Sequence, residues 1–216
     1  MLLNCPLCNS SDIISVKNIF FKERLYAKCN KCSLIYLHPQ MHPCKTEEKK
    51  RYDQHNNHDG DPGYTNHLKR VIEPSLKYLK TGMVGVDYGC GPRPVLSSII
   101  EEYGYRCDYY DPYFFPETID NEYDFIFSTE VFEHFFNPKK EIEKIVLKLK
   151  DNGILAIMTE MWNDIDSFKN WYYIRDNTHV CFYNFETMQY ICKQFNLEIL
   201  LTDNKRITIF QKSPKQ

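Results

Sequence analysis

The sequence predicts a doubly wound α/β domain with a small zinc ribbon in front of it. Three observations carry that reading. Strand-like and helix-like segments alternate from residue 83 to residue 212. The first of those strands ends in an acid and a glycine turn, Asp87-Tyr-Gly-Cys-Gly91. Two C-x2-C pairs, Cys5-Pro-Leu-Cys8 and Cys29-Asn-Lys-Cys32, lie within the first 32 residues. Alternating strands and helices give a mostly parallel sheet covered on both faces.

The ribbon, residues 1–40, comes first. Each cysteine pair puts two thiolates on one tight turn, the arrangement a tetrahedral zinc ion needs, so Cys5, Cys8, Cys29 and Cys32 are the expected ligands. Strand-like runs at 13–21 and 24–28 lie between the pairs. About 40 residues cannot bury a core alone, so the metal is expected to supply much of the folding energy. Residues 41–63 read as a polar, turn-rich linker or lid. Five histidines fall in or beside it: His38, His42, His55, His58 and His67. A second metal site and a solvated loop are the two readings, and the loop is favoured because nothing fixes the spacing. The charge run at 47–51 reads as solvated surface.

The main domain is expected over residues 64–216. Apolar positions 68, 71, 72, 76 and 79 trace one face of a helix at 64–79, with Pro74 as a kink. A strand at 83–87 runs into the glycine turn, then a helix at 95–103 and a strand at 105–110 ending at Asp111. The apolar run at 123–128 suits a strand buried on both faces. A helix at 138–149, a turn at 151–153 and a strand at 154–159 follow. A helix at 186–195 precedes strands at 197–202 and 206–212, which read as an antiparallel hairpin.

Composition bounds the function. The chain has 216 residues, 27 Lys and Arg against 29 Asp and Glu, a net charge of −2, and 43% hydrophobic residues. This balance argues against a wholly basic nucleic-acid binder and against disorder. Residues 1–40 carry a surplus of only three positive charges, a weak footprint for phosphate contact. Nine cysteines, an odd number, do not form a secreted disulfide framework. Apolar runs are too short to cross a bilayer, and the start lacks the pattern of a signal peptide. A cytoplasmic protein is expected, with no membrane partner.

Ligands of such sheets bind at the carboxyl ends of the strands. Three segments end there: residues 87–91, Asp111, and Ser128-Thr-Glu-Val-Phe-Glu-His134. A carboxylate at Asp111 suits the hydroxyls of a ribose, while a turn or cap is the plainer role for Asp87 and Asp111. These segments, with Tyr110-Asp-Pro and Leu149-Lys-Asp-Asn-Gly153, resemble the class I S-adenosylmethionine-dependent methyltransferases over about residues 64–212. With the ribbon in front, the chain is similar to a bacterial subgroup that carries one. The resemblance implies a seven-stranded Rossmann-like sheet with an antiparallel last strand. It implies S-adenosyl-L-methionine held by Asp87, Gly89, Cys90, Gly91, Asp111, Thr129 and Glu130, with Gly89 to Gly91 at the methionine moiety and Asp111 at the ribose. The sequence departs from the family at Pro92-Arg93-Pro94, where a third glycine is usual. Arg93 is read as either pairing with the cofactor's carboxylate or restricting access. The 11 residues between Asp111 and Tyr123 are too few for a full helix and strand.

His134 is the candidate base for a hydroxyl or acidic-carbon acceptor, and a helix-start hydrogen bonder is the plainer reading. Glu133 is expected to orient it or to face away. His179 lies in an aromatic insertion between Met161 and Asn184, which caps an acceptor pocket or packs on the sheet edge. Cys90 and Cys181 read as packing residues rather than nucleophiles. A small-molecule acceptor fits this stretch and the near-neutral charge. The alternatives are an RNA methyltransferase and a ribbon binding module on a non-catalytic cofactor domain. A nicotinamide dehydrogenase would need glycine where Pro94 stands.

Overall fold

The computed structural model describes residues 4–17, 23–54, 61–117 and 121–214. Its main sheet has six strands in the order β5-β4-β6-β7-β10-β9. These are β4 (Val84–Tyr88), β5 (Arg106–Tyr110), β6 (Tyr123–Thr129), β7 (Leu149–Met158), β9 (Leu197–Thr202) and β10 (Ile207–Lys212). β4, β5, β6 and β7 pair in parallel, and β10 is antiparallel to both β7 and β9. The expected alternation and the antiparallel last strand are both present.

Where seven strands are expected, the described residues form six. The missing one falls between Asp111 and Tyr123. There the chain closes at once into a tight loop, with Asp111 and Phe115 exchanging backbone hydrogen bonds of 3.2 and 3.0 Å. It has no length left for another strand and crossover. The turn expected at 151–153 is taken up within β7, with Asn152 at φ +62°.

Alternation of side chains divides the core in two. Helices α2 (Pro62–Leu76) and α3 (Val95–Glu102) bury Leu68, Val71, Ile72, Leu96, Ile99 and Ile100 against Phe125, Phe127, Ile154, Ala156 and Met158. Helices α4 (Pro138–Leu147) and α5 (Phe185–Phe195) bury Ile142, Ile145, Met188 and Ile191 on the face that presents Ile126, Leu155 and Ile157. The polypeptide approaches closely at Gly85, where a Cβ would lie 1.9 Å from the Phe125 ring. α2 begins two residues before the expected start, because Asp61 caps it through the Gly63 N–H (2.8 Å) and Pro62 suits its first turn.

The ribbon is not a separate bead. β1 (Ile13–Val16), β2 (Tyr26–Cys29) and β3 (Ile35–Leu37) form an antiparallel sheet completed by β8 (Cys181–Phe182), which comes from the aromatic insertion. Ile35 pairs with Phe182 and Tyr36 with Cys181. The Tyr26 ring meets Phe168 at 5.6 Å and Phe182 at 5.9 Å. One apolar cluster therefore runs from Leu7 and Tyr26 through Phe182 to Ile126. The small module completes its core with a strand and aromatics from the main domain. β3 was not expected from the sequence, and the later part of the expected strand at 13–21 lies outside the described residues.

The linker also carries structure. Residues 45–52 form α1 (Lys45–Tyr52), started by Glu47, whose Oε2 accepts the Cys44 N–H at 2.8 Å. The charge run expected to be solvated is so only in part: Glu48 is buried and accepts from the Tyr52 and Tyr113 hydroxyls at 3.2 and 2.8 Å. Burial raises its carboxyl above the usual range. His38, His42 and His67 form no common site. His38 caps a short turn, His42 contacts the Leu37 carbonyl, and His67 approaches Glu130 at 3.4 Å. His55 and His58 lie outside the described residues.

Candidate active site

A cavity of about 1150 Å³ opens over the carboxyl ends of β4, β5 and β6. α1 lies along it, contributing Glu48, Arg51 and Tyr52 to the lining. At the end of β4 the chain turns through Gly89 at φ +88° and Gly91 at φ +68°. A Cβ on Gly89 would stand 2.4 Å from Val131 Cγ2, so only glycine fits there. The turn is bonded to the next strand: the N–H groups of Gly89 and Cys90 donate to the Tyr110 carbonyl at 2.8 and 3.1 Å.

Asp111 sits at the end of β5, as expected, and much of its carboxylate is engaged. Oδ1 accepts from the N–H groups of Tyr113 (2.8 Å) and Phe114 (3.1 Å), and Oδ2 accepts from Gly91 N–H at 3.0 Å. Of about four lone-pair positions, one remains for a ligand. The turn-cap reading is therefore realised, together with a place on the cavity wall. Asp87 is 2% exposed, and its Oδ1 has no hydrogen-bond partner. Burial, helped by the nearby Asp111, raises its pKa to about 7. Cys90 lies buried in the lining, and its thiol is pushed up by burial, which suits packing and not nucleophilic attack. Arg93 is exposed and does not line the cavity; Pro92 does.

After β6, Thr129 and Glu130 also line the cavity. Glu130 takes φ +53°. Its Oε1 accepts from Arg206 at 2.9 Å and faces His67, and its Oε2 lies 2.9 Å from the Tyr173 hydroxyl. Burial opposes ionisation here, but these partners outweigh it and hold the carboxyl at about 2. Glu133 is its opposite: fully buried, next to Glu130, with its carboxyl raised to about 8. The Tyr173 hydroxyl is 2.6 Å from Glu133 Oε1, and the Thr159 hydroxyl donates to Oε2 at 2.8 Å. A single phenolic hydrogen cannot serve both glutamates. Ionised Glu130 takes it, and the proton kept by Glu133 bonds back to the phenol oxygen.

His134 ends a short 3₁₀ turn, Phe132–His134, and its Nδ1 lies 3.0 Å from the Thr178 carbonyl. His179 Nδ1 lies 2.8 Å from the Tyr173 carbonyl, and burial lowers its pKa. The two rings meet edge to face at 4.9 Å, so the structure brings His134 and His179 together at one end of the cavity. Glu133 does not orient His134 through a hydrogen bond; its partners are Tyr173 and Thr159. The insertion is divided between the cavity and the ribbon. Tyr172, Tyr173 and His179 line the cavity, while Phe168 and Phe182 pack under the ribbon.

Sequence reasoning missed Thr159, Tyr173 and Arg206 as individual site residues. Arg206 had a signal. An antiparallel β10 begins at the end of the sheet where its parallel neighbours finish, so the residue before it faces the site. Arg206 also bonds Glu160 there.

The four ribbon cysteines converge. Cys5 and Cys32 sulfurs are 3.5 Å apart, Cys8 and Cys29 sulfurs 3.3 Å, and all four lie within 4.8 Å of one another. Zn–S bonds of about 2.3 Å in a tetrahedron place sulfurs roughly 3.8 Å apart, so the donor set fits a zinc ion.

A glycine turn, an acid ending the next strand and a closing antiparallel strand over such a sheet define the Rossmann-like methyltransferase class. The profile described as "Methyltransferase domain" matches residues 63–202, more than half of the chain, and the chain belongs to the S-adenosylmethionine-dependent methyltransferase family. Solved structures agree on the fold. Magnesium protoporphyrin IX methyltransferase from Synechocystis, with bound S-adenosylhomocysteine, is 12% identical, with a TM-score of 0.51 over 78% of this chain and 94% of that one. The YcgJ protein from Bacillus subtilis is 14% identical, with a TM-score of 0.50 over 69% of this chain and 100% of that one. A Haloferax volcanii methyltransferase in complex with the Trm112 activator is 11% identical, with a TM-score of 0.50 over 70% of this chain and 93% of that one. Curated proteins give no match. Among the described residues no helix is long and apolar enough to cross a membrane.

Proposed function

We propose that this chain transfers a methyl group from S-adenosylmethionine to a small-molecule acceptor bound between the glycine turn and the His134–His179 pair. The observation that carries the reading is the single cavity joining these two ends. Its cofactor end fits the expected occupant. Asp87 Oδ1 is a buried acceptor without a partner, Asp111 keeps a free lone pair, and a Cβ on Gly91 would meet only open space. S-adenosylmethionine would supply a methyl group on a sulfonium, an excellent leaving group.

The residues of the chain then have to position and activate the acceptor. A backbone carbonyl only accepts, so Nδ1 of both His134 and His179 carries the hydrogen and each Nε2 carries a lone pair. An acceptor placed against these nitrogens meets groups able to promote loss of its proton. Tyr172 and Tyr173 supply the aromatic wall, and α1 covers the cavity edge. The ribbon with its zinc ion is structural in this reading, because its sheet holds β8 and, two residues before it, His179. A cytoplasmic location goes with this reading.

Calorimetric titration of zinc-loaded protein with S-adenosylhomocysteine tests the proposal. Micromolar binding that weakens at least tenfold in Asp111→Ala supports it. Absence of binding would overturn it and favour a non-catalytic binding module.

A further inference from the structure

We propose that Glu133, His134 and His179 form a second metal site, distinct from the ribbon, which takes a first-row divalent cation and presents it to an oxygen of the acceptor. The acceptor part of this inference rests on the methyltransferase reading; the metal site does not.

The three residues offer one carboxylate oxygen and two ring nitrogens, all within 4.8 Å of one another. Metal–ligand bonds of about 2.1 Å hold two ligands at most about 4.2 Å apart, so the site closes with small side-chain shifts. The histidine orientation is the stronger argument. Each Nδ1 is tied to a backbone carbonyl, Thr178 at 3.0 Å and Tyr173 at 2.8 Å. That leaves both Nε2 atoms as lone-pair donors, on rings 4.9 Å apart. Metal-ligating histidines are held in just this way, by a second nitrogen donating to a carbonyl. Glu133 is fully buried, its carboxyl is oriented by the Thr159 and Tyr173 hydroxyls, and a bound cation takes the place of the proton it shares with Tyr173.

The chemistry of the donors separates this site from the ribbon. Four thiolates select zinc. Two imidazoles and a carboxylate suit Mn²⁺, Fe²⁺ or Zn²⁺ and leave further coordination positions open. His134 and His179 line the cavity that also contains the glycine turn, so the open positions face the space where acceptor and cofactor would meet. A hydroxyl that ligates such a cation becomes more acidic and releases its proton to water more readily. His134 would then act as a ligand, and the acceptor would be an oxygen nucleophile.

The test uses the full chain loaded with one zinc per molecule. Mn²⁺ binding is followed by electron paramagnetic resonance, and Co²⁺ binding by visible absorption, with acetohydroxamate as the probe of open positions. We expect one additional Mn²⁺ per chain, a Co²⁺ spectrum that changes on adding acetohydroxamate, and at least tenfold weaker binding in His134→Ala and in His179→Ala at unchanged zinc content. No binding of either ion by the wild type, or unchanged binding in both variants, would overturn the site. A Co²⁺ spectrum indifferent to acetohydroxamate would overturn the acceptor role. If the alanine variants do not fold, the wild-type titrations decide alone. S-adenosylhomocysteine calorimetry on the same sample reports separately: its failure removes the methyltransferase reading and leaves the metal result standing.

Discussion

Asp87 offers a quantitative check on the site's electrostatics. It is 2% exposed, and its pKa rises from 3.8 to about 7, mainly through burial and then through the Asp111 charge. A raised carboxyl pKa means the folded state binds the proton more tightly than the unfolded state does. The associated stability is present in full below about pH 4 and is lost as pH rises through about 7. The whole effect is roughly 4 kcal/mol at 1.36 kcal/mol per pKa unit. Between pH 5 and pH 8 the loss is about 2–3 kcal/mol. Asp87→Asn keeps the shape and removes the titration. Urea unfolding of both proteins at pH 5, 6, 7 and 8, without cofactor, should therefore show wild type losing about 2–3 kcal/mol relative to the variant. Parallel curves would mean that Asp87 stays ionised in the folded protein, and the argument from burial would be wrong. A reversed slope would mean that a cation reaches it.

Other outcomes follow from particular contacts. Cys29→Ser should reduce zinc content by elemental analysis to well under one per chain and cost several kcal/mol on the order expected for a structural site, read by thermal melting. Gly89→Ala should cost about 2–5 kcal/mol, from a left-handed φ and a 2.4 Å approach to Val131. It should also weaken S-adenosylhomocysteine binding at least tenfold by calorimetry, and an unaffected affinity would remove the turn from the cofactor site. Phe182→Ala, in the middle of the ribbon–insertion contact, should cost about 3–5 kcal/mol in urea unfolding.

The main sheet was legible because its signals are local. An acid and two glycines after a short apolar strand, a continuous apolar run at 123–128, and a closing pair of strands each declare themselves within ten residues. Asp111 was found for the same reason, since it ends a strand. What stayed hidden depends on distant partners. β3 and β8 are three and two residues long, too short for any periodicity, and exist because they pair with each other. Glu48 sits in a run of charged residues that looks solvated, and its partners include the Tyr113 hydroxyl, 65 positions away. The six-strand count follows from a length that the sequence does show, the short span between Asp111 and Tyr123.

The ribbon and the site are best understood as one mechanical unit. β8 is the edge strand of the ribbon sheet, yet it belongs to the segment that carries Tyr173 and His179. The Val180 N–H donates to the Glu133 carbonyl at 2.8 Å, and the Leu37 N–H donates to the Val180 carbonyl at 2.8 Å. This bonded path runs from β3 through residue 180 to the backbone of Glu133, beside His134. Arg51 on α1 reaches the same segment through Asp176 at 2.8 Å. An irregular insertion of some twenty residues would not hold two imidazoles in fixed orientation by itself. Here it is pinned on one side by the ribbon sheet, whose four cysteines converge, and on the other by the turn after β6. A metal held by the four cysteines, none of which lines the cavity, would thereby fix the geometry of the two imidazoles that do.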